Sequence, residues 1–437
     1  VRQCAEKKVK FLNIISSGFS EIGNLEEEQK ITNFARQNGM RVLGPNIFGH
    51  FSAISKLNAS FGPKQIKPGN VAIITQSGAL GVAMIGKTSI QNIGLSAIIS
   101  VGNKSDVDEA DLLEYLIHQE ETRSILMYIE GIHNGQKLIS MLKYATTVKP
   151  VIVIKSGRSK RGAIAAASHT GSLAGSDAIF DAVMKQCGVL RSESIQGALD
   201  WCKFLSTSQL PQGRNCVIIT NGGGVGVMTT DACEKFDVKL YDDRHRLRDI
   251  FESVTHGFGS TKNPIDLTGD ATIDEYISAL MEALDDEDIH SVISLYCETA
   301  MISSQQLSEM IRMVHDQYRK KGKPIVFSVF GGKGTEKSVT ELIQHDVPIF
   351  RDVYESVSPL GALYRHFHHL SDHSPIVTSP EVDLDKIREL VRSARQDNRQ
   401  FFLAHEGISL LSAIGLSAPQ SKICRSIDEA ISFASMI

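Results

Sequence analysis

The stretch Ser168 to Asp177, SHTGSLAGSD, sets one imidazole, His169, among small residues. A neutral histidine is a competent nucleophile near pH 7, because its ordinary pKa is about 6.5. Small neighbours would let a phosphoryl group approach it closely. An exposed loop histidine with no chemistry fits the same residue types. Two other stretches suit anions. Gln76-Ser77-Gly78-Ala79-Leu80-Gly81 follows the apolar run VAIIT, and Asn221-Gly222-Gly223-Gly224-Val225-Gly226 follows NCVIIT. Small residues just after a strand let the first N–H groups of the next helix face an anion. Plain tight turns are the alternative at each.

Other stretches imitate functional motifs. Gly81 to Thr88 spells G-x-x-x-x-G-K-T, yet it begins inside the expected helix, where Val82, Met84 and Ile85 read as core and Lys87 as solvated. After Gly226 come Val227 and Met228, so the dinucleotide fingerprint lacks its third glycine. His366, His368, His369 and His373 carry no cysteine partner and read as a solvated helix end rather than a metal site. HEGIS at His405 lacks the second histidine of a zinc protease.

These residues need a scaffold, and the hydrophobic pattern supplies one. NVAIIT, SAIISV, SILMYIE and PVIVIKS are short β-branched runs, each followed by a helical pattern. Such alternation means βαβ units and a parallel sheet covered on both faces. His169 then falls in a loop beyond PVIVIKS and the basic turn Arg158 to Arg161, on the ligand side of that sheet. The alternation restarts with NCVIIT, HSVISLYC, KPIVFSVF and VPIF and closes with YESVSPLGALYRHF. The first 60 or so residues hold strand FLNIIS, a helix and strand RVLG, the back half of a further α/β unit. SDHSPIVTSPEVD reads as a linker.

A chain of 437 residues exceeds one ordinary core. The net charge of −4 gives no electrostatic case for nucleic acid or an anionic membrane. No apolar run approaches the roughly 20 residues of a membrane helix. Seven scattered cysteines with no C-x-x-C pair point to free thiols in a reducing compartment, the cytoplasm. Val1 starts inside a helical pattern and Ile437 ends inside one, so the chain reads as a fragment.

ASHTGSLAGSD, GNVAIITQSGALG, SVGNKSDVDEADLLEYL and MYIEGI together resemble the acyl-CoA synthetases that form a nucleoside diphosphate, relatives of succinyl-CoA synthetase. The resemblance covers essentially the whole chain. It implies an α/β fold: residues 1–62 as the end of a Rossmann-type CoA-binding domain, then flavodoxin-like domains at 63–207 and 208–370. A linker at 371–384 and the start of an ATP-grasp domain at 385–437 follow.

The resemblance also implies roles. His169 takes the place of the transiently phosphorylated histidine, and Glu130 that of the acid orienting it. Ser77–Gly78 and Gly222, Gly223 and Gly224 match two helix N-termini that hold the phosphate. NPIDLTGDA, Asn263 to Ala271, matches a further family motif. Gly44, Pro45 and Asn46 match the CoA-side loop, where Ile47 replaces the family's cysteine. Implied substrates are a short acyl acid, CoA, phosphate and ATP or ADP with Mg²⁺, in an oligomer. The stretch alone is not expected to complete the cycle without the nucleotide site. A rival reading is the synthetase-like regulatory region of a protein lysine acetyltransferase. A non-catalytic nucleotide- or CoA-binding module is another, and Ile47 is its support.

Overall fold

The computed structural model describes residues 1–170, 176–255, 257–371 and 382–437, with the backbone alone described at 166–170. It divides into two units, Val1–Ser371 and Asp372–Ile437.

In the larger unit, β1 (Phe11–Asn13) and β2 (Arg41–Leu43) form a parallel pair joined through the helix Leu25–Gln37. The first large sheet contains β3 (Gly49–Ser52), β4 (Leu57–Ser60), β5 (Pro68–Thr75), β6 (Leu95–Ser100), β7 (Ser124–Ile129), β8 (Val151–Lys155) and β9 (Leu190–Arg191). Their spatial order is β4-β3-β6-β5-β7-β8-β9. The second contains β10 (Cys216–Thr220), β11 (Ile265–Asp266), β12 (Ser291–Cys297), β13 (Ile325–Phe330) and β14 (Ile349–Phe350), in the order β11-β10-β12-β13-β14.

From β5 to β9, and again from β10 to β14, the strands run parallel in the flavodoxin-like order 2-1-3-4-5. The apolar runs explain both sheets. Every residue of β6, β7, β8 and β10 is buried. Alternate residues serve opposite faces. Val71, Ile73, Leu126 and Ile152 join one core, and Ala72, Ile74, Ile125 and Val151 join another.

The hairpin β3–β4 was not anticipated from the sequence. It pairs antiparallel and extends the first sheet through β6. Its short, mixed-polarity strands carry no apolar run, and Gly49 at φ +104° turns a face to the Ala59 carbonyl that no side chain could share.

Six helices matter below: α1 (Gly78–Ile90), α2 (Lys160–Thr170), α3 (Ile195–Thr207), α4 (Gly223–Lys235), α5 (Lys333–Gln344) and α6 (Val353–Ser371). One continuous core draws on both sheets through α3, α4 and α6. Between α3 and α6 the Trp201 indole N–H donates to Ser358 Oγ at 2.8 Å, and the Arg365 guanidinium lies 5.0 Å from the Trp201 ring centre.

This packing corrects the view of the histidine cluster as a solvated helix end. His366 is buried, and burial pushes its pKa down to about 4, so it is neutral. The helical repeat sets it on the same face as the buried Leu363. His369 lies 3.1 Å from Thr146 Oγ1. His373 lies outside the described residues. The smaller unit holds helices Leu384–Gln396, Ala404–Ala413 and Ile427–Ala434. There Glu406 of HEGIS pairs with Arg399 at 2.7 and 2.8 Å.

Candidate active site

Ligands of open parallel sheets bind beyond the carboxyl ends of the strands, at the switch point between the first and third strands of this order. In the first sheet that point lies between β5 and β7. After β5 the chain turns on Thr75: Ser77 N–H donates to Thr75 Oγ1 at 3.2 Å, and that hydroxyl donates to Ser77 O at 2.8 Å. Ser77 caps α1, its Oγ accepting from Leu80 N–H. Gly78 then opens the helix with Phe48 packed beside it, and a Cβ on Gly81 would lie 2.5 Å from Phe48 Cε1.

The P-loop imitation is thereby excluded. Gly81 to Thr88 lie within α1, with Met84, Ile85 and Thr88 buried and Lys87 exposed.

Glu130 follows β7 directly and is buried. Gln76 ties it to the turn: Gln76 Oε1 accepts from Glu130 N–H at 2.8 Å and from Gly131 N–H at 3.1 Å. Lys104, in the turn after β6, reaches the same Gln76 oxygen at 3.4 Å and pairs with Glu109 at 3.1 Å. Burial raises the pKa of the neighbouring Tyr128 hydroxyl. Sequence reading named Gln76 only as the first residue of the anion-suited turn and gave Lys104 and Lys155 no role. A lysine that closes the apolar run VIVIK was the available signal.

The loop after β2 arrives at the same end of the sheet. Ser105 donates to Gly44 O through its N–H (3.1 Å) and its Oγ (2.8 Å). Asn103 N–H donates to Pro45 O at 3.0 Å, and Asn46 Nδ2 reaches Asn103 Oδ1 at 3.3 Å. Val101 N–H in turn donates to Thr75 O at 2.9 Å. Gly44, Pro45 and Asn46 are therefore linked, through residues 101–105, to the Ser77–Gly78 turn. Ile47 points away from this surface, 2% exposed in the core with Leu43 and Val101.

His169 is not in a loop, as the sequence suggested, but is the penultimate residue of α2. The run Ala163 to Ala167 contains only strong helix formers apart from Ile164. Ser159 starts that helix by accepting from Gly162 N–H at 3.0 Å. Gly171 to Gly175 of SHTGSLAGSD lie outside the described residues. Just beyond them, Asp177 is held by Arg191 and lies 3.7 Å from Arg158.

The second sheet repeats the turn at its own switch point. Gly222 N–H donates to Thr220 Oγ1 at 3.0 Å, and Gly222 is the N-cap of α4. Asn221 spans to β12, with Oδ1 accepting from Cys297 N–H at 2.8 Å and Nδ2 donating to Cys297 O at 2.9 Å. Of NPIDLTGDA, Asn263 ties β10 by donating to Cys216 O and accepting from Ile218 N–H. No hydrogen bond among the described residues joins the Gly222–Gly224 turn to the Ser77–Gly78 turn.

Residues 68–205 match the succinyl-CoA ligase like flavodoxin domain, and residues 216–372 match the ligase-CoA domain. The alpha subunit of acetate–CoA ligase [ADP-forming] I from Pyrococcus furiosus is 47% identical over 84% of this chain and 79% of that protein. The 4-hydroxybutyrate–CoA ligase [ADP-forming] of Nitrosopumilus maritimus is 32% identical over the whole chain, which spans 63% of that relative's length. Among solved structures, Ca. Korarchaeum cryptofilum dinucleotide forming acetyl-coenzyme A synthetase 1, in complex with phosphate and ADP, superposes with a TM-score of 0.82. It is 40% identical over 85% of this chain and 80% of that one. The chain belongs to the ADP-forming acyl-CoA synthetase family, within the succinyl-CoA synthetase superfamily. No described helix is long and apolar enough to cross a membrane.

Proposed function

We propose that this chain carries the acyl-transfer half of a reversible acyl-CoA synthetase: acyl-CoA, phosphate and ADP on one side, free acid, CoA and ATP on the other. The observation that carries it is the joining of Ser77, at the N-terminus of α1, to the buried Glu130 through one amide, Gln76. Phosphate displaces CoA from the acyl carbon, giving acyl phosphate. His169 then takes the phosphoryl group and releases the acid. Glu130 accepts an N–H from one ring nitrogen and leaves the other free to attack. The N–H groups behind Ser77–Gly78 and Gly222–Gly224 stabilise the phosphate charge. Splitting one transfer into two through a covalent intermediate is the logic of nucleophilic catalysis.

Gly44–Asn46 is the CoA-side loop, with Ile47 as its core anchor in place of a thiol. On this reading residues 1–62 complete a CoA-binding domain, 63–207 and 208–370 are the paired ligase domains, 371–384 is a linker and 385–437 open an ATP-grasp domain. Mg²⁺ enters with the nucleotide and neutralises its phosphates. The enzyme works as an oligomer in a reducing cytoplasm, in keeping with seven unpaired cysteines.

The test uses protein from the full-length gene and its His169→Asn variant, each given Mg²⁺ and γ-labelled ATP. Acid-labile, base-stable label in the parent and none in the variant is expected. Equal label in both, or none in a folded parent that binds nucleotide, overturns the assignment.

A further inference from the structure

Two buried ammonium groups converge on the peptide that carries Glu130. Lys104 is 4% exposed, and its Nζ donates to Gly131 O at 2.5 Å, besides its contacts with Gln76 and Glu109. Lys155 closes β8, is 9% exposed, and its Nζ donates to Glu130 O at 2.9 Å and to Ser156 O. Lysines are seldom buried, because taking an ammonium out of water is costly unless its protons are matched. Lys104 recovers part of that loss from Glu109. Lys155 makes no ion pair among the described residues; its ammonium faces carbonyls and lies 5.9 Å from the Phe180 ring centre. Burial lowers its pKa, against the attraction of Asp177 and Glu130.

From these contacts we infer that Lys104 and Lys155 are positioning residues that hold the successive carbonyls of the Glu130–Gly131 segment and so aim the Glu130 carboxylate. The inference rests on the phosphohistidine reading above. Three strands supply the clamp. The Gln76 amide after β5 receives both N–H groups, while Lys104 after β6 and Lys155 at the end of β8 hold the consecutive carbonyls. A two-residue segment held at both its N–H and both its C=O groups cannot rotate, so the Glu130 side chain leaves the end of β7 in one direction. The Lys104 side chain is fully buried (0% exposed), so it acts through Glu130 rather than on a substrate.

The experiment uses the full-length enzyme with Lys155→Met, Glu130→Gln and the double variant. Lys155→Met removes an ammonium that makes no ion pair among the described residues but leaves the Glu130 and Ser156 carbonyls without its N–H groups, so the variant should melt somewhat lower than the parent while staying folded. Misplacing a catalytic group by about 1 Å costs about 100-fold. We therefore expect Lys155→Met to lower kcat about 100-fold, with KM for CoA within about twofold of the parent. In the Glu130→Gln background the same change should cost less than about threefold, because a residue that acts only through Glu130 has nothing left to position.

An equal loss in both backgrounds, or an unchanged kcat, overturns the clamp. Should Lys155→Met fail to fold, Lys155→Gln carries the same requirement of non-additivity. A parent that forms no acid-labile phosphoenzyme sinks the proposed function. A parent that forms it, alongside a Lys155→Met variant forming it at the same rate, sinks the clamp alone.

Discussion

The turns after β5 and β10 are built alike. Each begins with a threonine whose hydroxyl accepts an N–H two residues on, at 3.2 Å for Thr75 and 3.0 Å for Thr220. Each continues with a side-chain amide that accepts a backbone N–H from the neighbouring strand end, and each leads into a helix whose fourth residue is glycine. They differ in what that strand end carries. Gln76 reaches Glu130, whereas Asn221 reaches Cys297, whose thiol is pushed up by burial and so stays neutral near pH 7. They differ also at the cap. Ser77 Oγ occupies Leu80 N–H, while Gly222 has no side chain to occupy the first N–H groups of α4. On the proposed reading the first turn combines an anion-facing helix end with a carboxylate that orients an imidazole. The second offers bare N–H groups, the chemistry of a phosphate cradle without a partner for a base.

Glutamates test this contrast most severely. Glu298 also follows its strand directly, but its carboxylate accepts from Gly332 N–H at the start of α5, a contact that holds its pKa low. Glu130→Gln should slow phosphoenzyme formation about 100-fold, within the usual range for removing a general-base partner. Glu298→Gln should slow it less than about threefold, since its change is confined to a helix cap. Rapid-quench labelling of the two variants measures both. Comparable losses would mean that the second turn also supplies an acid, and the asymmetry would be wrong.

Much of this contrast was legible beforehand. VAIIT, SILMYI, CVIIT and SVISLYC are short, largely apolar, β-branched runs alternating with helical patterns, which read as strands buried on both faces, and a glycine turn follows the first strand of each sheet. The hairpin β3–β4 escaped because its polar and apolar residues follow no clean period, and β9 and β11, of two residues each, are too short to show one. His169 was assigned to a loop because its immediate neighbours are small. The alanine run upstream, capped by Ser159, outweighs them and carries the helix to Thr170. The link from Gln76 to Glu130 and the two lysines were missed for a different reason. Their importance lies in which backbone atoms they reach; the lysine that closes VIVIK is conspicuous in the sequence, but residue type and spacing do not say which carbonyls it holds.

The two helices also differ in how tightly they sit. A Cβ at Gly81 would lie 2.5 Å from Phe48 Cε1 and 2.9 Å from Thr75 Cγ2. At the matching Gly226 the nearest atoms, from Pro264 and Thr220, are 3.2 Å away. Gly81→Ala should therefore destabilise by about 2–3 kcal/mol, as overpacking forces α1 off its seat. Gly226→Ala should stay within about 1 kcal/mol, because the gain in helix propensity offsets a contact that yields by tenths of an ångström. Denaturant unfolding of the two variants compares them directly. The reverse ranking would show that α4 packs against β10 more closely than α1 packs against β5.

The smallest effect concerns the cleft of about 520 Å³ where α1 and α3 of the first half face α5 and β14 of the second, lined by Lys203, Phe204, Ile343, Phe350 and Arg351 among others. Asp200 sits in it, accepting from Gln196 Nε2 at 3.0 Å and Gln91 Nε2 at 3.4 Å. Burial raises its pKa to about 7; Glu355 adds to the rise, while the Gln196 hydrogen bond, Lys203 and Lys87 oppose it. A carboxyl raised in the folded state holds its proton more tightly there than in the unfolded chain. Its contribution is full below about pH 4 and is lost as pH climbs through 7. Asp200→Asn, which keeps the acceptor and cannot ionise, should match the parent near pH 4 and exceed it by about 1–2 kcal/mol at pH 8, allowing for solvent in the cleft. Melting curves across pH 4–8 would show the parent losing stability through neutrality while the variant does not. A difference of constant size at every pH would place the ionised carboxylate in open water and deny that the two halves close over it.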